Sequence, residues 1–379
     1  MKEKFQRYLH ADADMFFAAV EMHFHPEWKD KALIIGHPYS RSVVSTASYE
    51  ARKYGVHSGM PMQKAIKLCP QSIVVPPDHR RYGEISQKMF RLFRNFADSV
   101  AELSIDEGVM EISSSLMLFG GEEALALQLK EVVSHALGIT VSIGIANTRI
   151  LAKIAAGKHK PNGLTIVLSG HEKEFLKNLL LKEVPGIGSK TLDQLGKKGL
   201  NTIGDCYQYS LKEITEQLGH TGLMLWNLYH AREESMKTAK QPSISREITF
   251  LENQYSETII KKTLLKLSKD LGFTLRKRSM QASTIGIKLR FPPFETITRQ
   301  KTLDKAISSD LDIFQQVCLL YHPFLRRELR LIGISLSKLS SYEDLYSDDN
   351  TRQHILDHAL DSIRKKHGKN KIKRLMELS

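Results

Sequence analysis

Two pairs of carboxylates carry the first chemistry that this sequence suggests. Asp12 and Asp14 follow one apolar run, and Asp106 and Glu107 follow another. If the two runs are neighbouring strands, their ends bring the carboxylates together, and oxygen ligands without His or Cys suit Mg²⁺. Either pair alone is more typical of a turn or a helix N-cap. Together, the pairs predict a site for two metal ions.

The elements that must position these carboxylates alternate between strands and helices up to Val167. Apolar runs predict strands at residues 7–13, 32–36, 43–46, 100–104, 108–112 and 139–145. Helical periodicity predicts helices that begin near Met15, Ser48 and Met62, and further helices at residues 86–98, 124–136 and 148–156. We therefore predict an α+β fold in which the strands share one sheet.

Beyond Val167 the pattern is helical to about residue 239. Val184-Pro185-Gly186-Ile187-Gly188-Ser189-Lys190-Thr191 looks like a helix-hairpin-helix turn. Gly186 and Gly188 allow a tight turn with exposed amides at a helix N-terminus, which suits a phosphate, and Lys190 adds positive charge. The alternative is an ordinary glycine turn between two helices.

The last predicted domain follows a polar linker, Lys240-Gln241-Pro242-Ser243. Strands are predicted at residues 244–251, 282–290, 296–303 and 329–337, and helices at 257–278 and 310–322. This β-α-β-β-α-β order is found in ferredoxin-like units.

Charge indicates a polyanionic partner. The formal net charge is +13, and residues 241–340 hold 17 Lys or Arg against 9 Asp or Glu. Nucleic acid is the first candidate, and a solvated basic surface without a partner is the alternative.

Composition narrows the class of protein further. Cys69, Cys206 and Cys318 are scattered without paired spacing, which argues against a disulfide framework and a zinc site. No apolar stretch approaches a membrane span, and the N-terminus lacks the apolar core of a signal peptide. We expect a cytoplasmic protein without a membrane partner.

Four sequence blocks lie between and after the carboxylates, at residues 46–56, 142–146, 151–155 and 160–163. With these blocks in this order, residues 8–339 resemble a Y-family DNA polymerase of the DinB type. The resemblance implies a right-hand polymerase with a ferredoxin-like palm. It assigns residues 1–13 and 79–167 to the palm, 14–78 to small fingers, 168–239 to a helical thumb, 240–243 to the linker, 244–340 to a little finger that binds DNA and 341–379 to a C-terminal tail.

The resemblance also implies roles for individual residues. Asp12 and Asp106 would bridge two Mg²⁺ ions, Glu107 would hold the catalytic ion, and the carbonyl of Ala13 would assist at the nucleotide ion. Asp14 is expected to be a supporting residue. A dNTP would be bound by Phe16, Phe17, Thr46, Tyr49, Arg52 and Lys160, and Phe17 would be the steric gate that excludes ribonucleotides.

Primer-template DNA is the expected partner, with sequence-independent contacts to phosphates. The candidates are Gly186, Gly188, Lys190, Lys288, Arg290, Arg299, Lys301 and Arg330. Small residues over the nascent base pair, such as Val43 and Ser45, would leave the site open and allow low-fidelity synthesis across damaged template.

The chain departs from the family pattern in two places. Thr148 and Arg149 stand where many relatives carry Asn-Lys, and the charge is kept. Many relatives also carry a Gln-Leu-x-Leu-Phe-like peptide that docks on the sliding clamp. This chain has Tyr342-Glu343-Asp344-Leu345-Tyr346 instead, without the Gln and with acidic residues, which leaves clamp binding open.

Two further questions stay open from the sequence. Residues 351–379 fit either a short helix with a basic end or a solvated tail. A monomeric low-fidelity DNA polymerase in translesion synthesis and DNA repair is the leading hypothesis. The alternative is a non-catalytic DNA-binding repair accessory protein.

Overall fold

The computed structural model describes residues 6–232, 243–341 and 352–368. The chain divides into two compact units, Met1–Met236 and Lys237–Ser379. Both mix helices with sheets, as the sequence predicts for an α+β fold. None of the helices in the described ranges has the length and apolar character needed to cross a membrane.

The first unit contains eight of the strands in those ranges. They are β1 Tyr8–Ala13, β2 Leu33–Ile35, β3 Thr46–Ala47, β4 Ile73–Val75, β5 Ser99–Glu102, β6 Glu107–Glu111, β7 Val141–Ala146 and β8 Leu164–Ile166. Its α-helices are α1 Phe16–Phe24, α2 Tyr49–Arg52, α3 Met62–Leu68, α4 His79–Phe93, α5 Leu116–Phe119, α6 Glu122–Leu137, α7 Arg149–Lys158, α8 Glu172–Lys177, α9 Ser189–Gly196, α10 Leu211–Leu218 and α11 His220–Tyr229. Short 3₁₀ turns lie at Pro26–Trp28, Leu181–Glu183 and Gly204–Cys206.

A five-stranded sheet in the order β5-β6-β1-β7-β8 forms the centre of this unit. Strand β1 pairs antiparallel with β6 and β7, while β8 runs parallel to β7. Alternation along β1 sends Leu9 and Ala11 into the core beneath α4 and α6. Tyr8 lies in the core on the opposite face, where α7 and the later helices pack.

Helix α7 approaches this second face unusually closely. A Cβ built at Gly144 of β7 would lie 2.1 Å from the carbonyl oxygen of Ala152. Only glycine leaves room for the helix backbone there. Because Gly144 pairs with His10 of β1, this approach fixes α7 next to the end of β1 that carries Asp12.

The early strands correct one prediction from the sequence. Strands β2, β3 and β4 form a separate three-stranded sheet rather than joining the central one. They enclose their own small core, to which Ile34, Val44 and Met62 belong. The parallel pairing of β2 with β4 supplies the third strand, which the sequence analysis missed.

Helix α4 also differs from the predicted range of residues 86–98. It begins at His79 because the Asp78 side chain accepts hydrogen bonds from the amides of Arg80 and Arg81. It ends at Phe93, and Phe96 reaches the core from the turn that follows.

The second unit has the predicted β-α-β-β-α-β order. Its elements are β9 Ser243–Gln254, α12 Glu257–Lys277, β10 Met280–Arg290, β11 Thr296–Ile307, α13 Asp310–Tyr321, a 3₁₀ turn at His322–Phe324, and β12 Leu329–Ser341. The sheet has the order β11-β10-β12-β9, and one face packs on α12 and α13. Of the predicted linker, Ser243 begins β9, and residues 240–242 lie outside the described ranges.

A last helix, α14 Arg352–His367, settles part of the question about the tail in favour of a helix. Three of its charged side chains are buried, namely Asp357, Asp361 and Arg364. The Arg276 guanidinium of α12 binds Asp361 through Nε at 2.7 Å and Asp310 of α13 through Nη2 at 2.9 Å. Helix α14 is therefore attached to α12 and α13 through buried ion pairs. The basic residues 369–374 lie outside the described ranges.

Candidate active site

Pairing of β1 with β6 brings the predicted carboxylates to one end of the central sheet. Asp12 pairs directly with Glu107, and the amide of Ala13 donates to the carbonyl of Asp106 at 2.9 Å. One ligand atom from each of His10, Asp12 and Glu107 lies within 4.8 Å of the other two. The structure therefore forms a group that could hold a metal ion.

Each of the two paired carboxylates has a lysine partner. Lys160 forms an ion pair with Asp12, and Lys153 of α7 places Nζ 2.8 Å from both oxygens of Glu107. Burial raises the pKa of Asp12, and the Lys160 ammonium offsets part of that effect. The hydrogen bond from His10 and the Lys153 contact lower the pKa of Glu107 to about 2, against the opposing effect of burial. Both lysines thus supply positive charge at the carboxylates.

Asp106 lies in the turn between β5 and β6 and is oriented differently. Its carboxylate accepts a hydrogen bond from the Ser104 hydroxyl, which in turn accepts from the amides of Asp106 and Glu107. Among the described residues, Asp106 does not belong to the group formed by His10, Asp12 and Glu107. Its backbone is nevertheless fixed beside Ala13.

His10 and Lys153 are the two residues at this site that the sequence analysis missed. His10 stands two residues before Asp12, so strand alternation puts both side chains on one face of the sheet. Its Nε2 lies 3.3 Å from Glu107 Oε2. That alternation could have indicated His10. Lys153 lies in the sequence block at residues 151–155, but its contact with Glu107 depends on how α7 packs.

The predicted nucleotide residues come from three segments around Asp12. Helix α1 begins at Phe16 after Met15, which has a left-handed φ of 42°. On the side of the small sheet, Arg52 donates to the Ala47 carbonyl at 3.0 Å, and its guanidinium lies 4.8 Å from the centroid of the Tyr49 ring. Thr46 is half-buried in β3, and Lys160 reaches Asp12 from the loop after α7.

The Phe17 ring rests on a buried aromatic support. It stacks on Tyr82 with centroids 4.3 Å apart and the planes 13° from parallel. The Tyr82 hydroxyl donates to the buried Glu21 carboxylate at 2.7 Å, and Arg81 donates to the other oxygen of Glu21. A ring held in this way has little freedom to move.

The predicted helix-hairpin-helix has the expected local geometry. Gly186 has φ of 91°, and Gly188 is the N-cap of α9. Lys190 is exposed in the first turn of that helix. The free amides at this N-terminus can donate hydrogen bonds to an anion.

The five predicted cations of the second unit do not lie on one face of the sheet. Lys288 and Arg290 of β10 alternate with buried residues and lie on the face away from α12 and α13. Arg299 and Lys301 of β11 pair with the buried residues Ile287 and Ile285, so they lie on the helix side.

Local contacts agree with this register. Lys301 Nζ lies 3.3 Å from Gln316 Oε1 of α13, whereas Lys288 Nζ binds Glu247 Oε2 at 2.8 Å. The Arg330 guanidinium lies 4.6 Å from the centroid of the Phe294 ring. The peptide at residues 342–346 lies outside the described ranges.

Comparison with known proteins places this site in a family. Residues 11–157 match the impB/mucB/samB family and residues 241–356 match its C-terminal domain. DNA polymerase IV of Dehalococcoides mccartyi strain 195 is 38% identical over 371 residues, which is 96% of this chain and 95% of the relative. DNA polymerase IV of Treponema denticola is 33% identical over 380 residues, which is 97% of this chain and 95% of the relative.

A solved structure of a Y-family DNA polymerase chimera of Dbh and Dpo4 covers 89% of this chain and 100% of its own, with 28% identity and a TM-score of 0.79. The chain belongs to the Y-family of DNA polymerases. An insertion ternary complex of Dbh DNA polymerase also matches, with 28% identity and a TM-score of 0.63 over 89% of this chain and 100% of its own.

Membership of the Y-family confirms the resemblance inferred from the sequence. Y-family polymerases depend on metal ions, and the group around Asp12 and Glu107 could hold one. The relatives are polymerases by name, and none of these comparisons supports the alternative of a non-catalytic accessory protein.

Proposed function

We propose that this protein is a template-directed DNA polymerase of low fidelity that acts in translesion synthesis and DNA repair. It would extend a primer with dNTP and release diphosphate. The observation that carries the proposal is the pairing of Asp12 with Glu107 at the end of the central sheet, with Lys160 and Lys153 supplying positive charge. This is the charge arrangement that a triphosphate and its metal ions require.

The proposed ligands for two Mg²⁺ ions are Asp12, Asp106, Glu107 and the Ala13 carbonyl. Their oxygen atoms fit Mg²⁺, and the ion pairs of Asp12 with Lys160 and of Glu107 with Lys153 support the binding of positive charge at both carboxylates. When bound, the ions would lower the pKa of the primer 3′-hydroxyl and neutralise the triphosphate. Asp106 and Glu107 are held by Ser104 and Lys153 here, so those contacts would be exchanged.

The nucleotide would be bound by the residues next to this group. Lys160 and Arg52 would bind phosphate oxygens, while Thr46, Tyr49 and the amides of Phe16 and Phe17 would donate hydrogen bonds. Burial and the Asp14 charge raise the pKa of Tyr49 to about 12, so its hydroxyl keeps its proton and can donate. Phe17, supported by Tyr82, would exclude a 2′-hydroxyl.

An open nascent pair would explain tolerance of damaged template. Val43 is 51% exposed, and Ser45 is also exposed. Small exposed side chains leave space that a distorted base can occupy. We retain the domain assignment from the sequence as part of this proposal, with β1 and residues 79–167 as the palm and residues 14–78 as the fingers.

DNA would be held by phosphate contacts from Gly186, Gly188 and Lys190 of the thumb and from the basic residues 244–340 of the second unit. Lys288 and Arg290 lie on the open face of the sheet, and we assign the main contacts to them rather than to Arg299, Lys301 and Arg330. We also propose that the protein acts as a monomer.

Clamp binding through residues 342–346 stays a prediction. We propose that the protein acts in the cytoplasm, where it would meet its DNA and dNTP substrates.

The salt dependence of DNA affinity can show which face of the sheet contacts DNA. Replacing both Lys288 and Arg290 with Ala should make the negative slope of log affinity against log salt shallower by about 2, since each phosphate contact contributes about 0.9. Replacing both Arg299 and Lys301 is the matched control and should change the slope less. Equal changes in both double variants would contradict the assignment.

Primer extension tests the proposed function itself. Purified protein with a primed template, dNTP and Mg²⁺ should extend the primer and should also copy past an abasic site. Tight primer-template binding with no extension at any Mg²⁺ concentration would refute the polymerase proposal and favour a DNA-binding role.

A further inference from the structure

Both oxygens of the Asp14 carboxylate accept hydrogen bonds, and the chemistry proposed above does not use this residue. Its side chain is 1% exposed. Oδ2 accepts from the Thr140 hydroxyl and from the amide of Asn162, both at 2.8 Å. Oδ1 accepts from the Ser142 hydroxyl at 2.8 Å and from the Tyr49 hydroxyl at 3.4 Å. With both oxygens occupied by protein donors, Asp14 is not available to a metal ion.

The four donors come from three segments, all of which contact Asp14. Thr140 immediately precedes β7 and Ser142 lies in it, Asn162 lies in the loop after α7, and Tyr49 begins α2. Asp14 itself directly follows β1, two residues after Asp12. One carboxylate thus joins the end of the central sheet to two segments that carry proposed nucleotide contacts.

The loop that carries Lys160 is braced at its backbone. The Asn162 amide donates to Asp14, and the Gly163 amide donates to Ser142 Oγ at 3.2 Å. Lys130 Nζ donates to the carbonyls of Asn162 and Gly163. Because Asn162 is two residues from Lys160, fixing its amide also fixes where the Lys160 side chain begins.

The Tyr49 contact differs from the other three. At 3.4 Å it is the longest, and a hydroxyl with one proton cannot donate to Asp14 and to a phosphate together. The contact is weak enough to be exchanged when a nucleotide arrives, while the contacts to Thr140, Ser142 and Asn162 can persist.

We propose that Asp14 is a positioning residue that fixes the Lys160 loop against Asp12 and holds Tyr49 ready for the incoming triphosphate. The inference rests on the proposed function, because it assumes that Lys160 and Tyr49 bind the nucleotide. It assigns Asp14 an effect on nucleotide affinity that passes through Lys160 rather than through the metal ions.

The test compares Asp14→Ala with Asp14→Asn and measures nucleotide affinity without chemistry. A ternary complex on a dideoxy-terminated primer gives the Kd for dNTP. Asp14→Ala should weaken dNTP binding by about tenfold, which corresponds to about 1.4 kcal/mol. Asp14→Asn should cost less than about threefold, because the amide oxygen can still accept from Asn162 and its NH₂ group can donate to a hydroxyl. Primer-template affinity should stay within about twofold, because the DNA grip is phosphate-based and remote.

A double-mutant cycle separates positioning from a general structural role. In a Lys160→Ala background, Asp14→Ala should weaken dNTP binding by less than about twofold further, because the loop has lost the group that Asp14 positions and only the weak Tyr49 contact remains to be lost. An undiminished tenfold effect in that background, or unchanged dNTP affinity in the single variant, would overturn the inference. A parent protein that fails to extend primer would instead refute the proposed function.

Thr140→Val covers the case in which Asp14→Ala does not fold. It removes one donor to Asp14 at nearly constant volume and leaves the carboxylate in place. We expect about a threefold loss of dNTP affinity with a cooperative melting transition, since one buried hydrogen bond is lost. Unchanged affinity in a folded Thr140→Val protein would also overturn the inference.

Discussion

Each unit of this protein holds carboxylates against cations, but the two clusters differ in exposure and in the cation used. In the first unit, Lys160 and Lys153 pair with Asp12 and Glu107, and the two lysine side chains are 27% and 36% exposed. In the second unit, Arg276 and Arg364 pair with Asp310 and Asp361, and no side chain in these pairs is more than 8% exposed.

These differences in exposure and in cation type suit the two clusters to different tasks. The lysine cluster can exchange its ion-pair partners, whereas the arginine cluster keeps them. A lysine ammonium is a single charge on a flexible stem, so a metal ion can replace it at a carboxylate while the lysine turns to a phosphate. A guanidinium binds through a planar set of donors, and removing it would leave buried charges without compensation. We therefore infer that the lysine cluster can exchange its partners, whereas the arginine cluster attaches α14 to α12 and α13.

The largest expected effect comes from Asp106→Ala. Nucleotide addition should fall by about a thousandfold or more, because metal charge stabilisation is worth several kcal/mol. Primer-template affinity and the melting temperature should change little, since the duplex is held elsewhere and Asp106 is half-exposed. Single-turnover extension at saturating Mg²⁺ is the measurement. Glu102→Ala removes an exposed carboxylate from β5 and serves as the control; substantial extension by Asp106→Ala would remove Asp106 from the site.

A substitution in the arginine cluster should lower stability, whereas Asp106→Ala should lower nucleotide addition. Arg276→Met should lower the free energy of unfolding by about 3–5 kcal/mol, because it leaves Asp310 and Asp361 buried without their partner. Urea denaturation measures this. Lys277→Met changes the next, exposed side chain of α12 and should stay within about 0.5 kcal/mol. A loss below about 1 kcal/mol in Arg276→Met would mean that the cluster does not hold the unit together.

Phe17→Ala should change specificity rather than stability. Discrimination between dNTP and rNTP should fall by about tenfold or more, a gain of about 1.4 kcal/mol for the ribonucleotide, because rejection of the 2′-hydroxyl is steric. The ratio of incorporation efficiencies measures it. Phe24→Ala, at the exposed end of α1, is the control. If Phe17→Ala excludes ribonucleotides as strongly as the parent, the gate is another residue.

The smallest expected effect is the loss of stability in Lys153→Met, which compares the lysine cluster directly with the arginine cluster. Lys153→Met should cost no more than about 1 kcal/mol of unfolding free energy, because its ion pair with Glu107 is partly exposed. The same urea titration used for Arg276→Met measures it. Equal losses in the two variants would show that the lysine cluster is as structural as the arginine cluster.

Much of the second unit could be predicted from the sequence. Alternating apolar residues predict its strands, as in Ile285, Ile287 and Leu289 of β10. Long segments with apolar residues at helical spacing predict its helices. The same pattern could not say which cations share a face, because that depends on the register between β10 and β11. Nor could it predict how α14 attaches, because the buried side chains described on that helix, Asp357, Asp361 and Arg364, are charged rather than apolar.

The candidate site was predictable in its carboxylates and less so in their partners. Asp12, Asp106 and Glu107 belong to short motifs, whereas Lys153 and the donors to Asp14 meet only after the chain has folded. The third strand of the small sheet was missed for a related reason, since β4 has three residues and pairs in parallel with a distant strand. Long-range pairing leaves little local signal.

Gly144 determines how closely α7 approaches the sheet, although it has no side chain. The helix that delivers Lys153 can stand above Glu107 only because β7 has a bare backbone at that position, and the clearance is smaller than one methyl group. The position of Lys153 at the candidate site is therefore set by an empty volume rather than by a side chain. A survey of variants that scores only charged or nucleophilic residues would overlook Gly144, where even one added methyl group displaces the helix that carries Lys153.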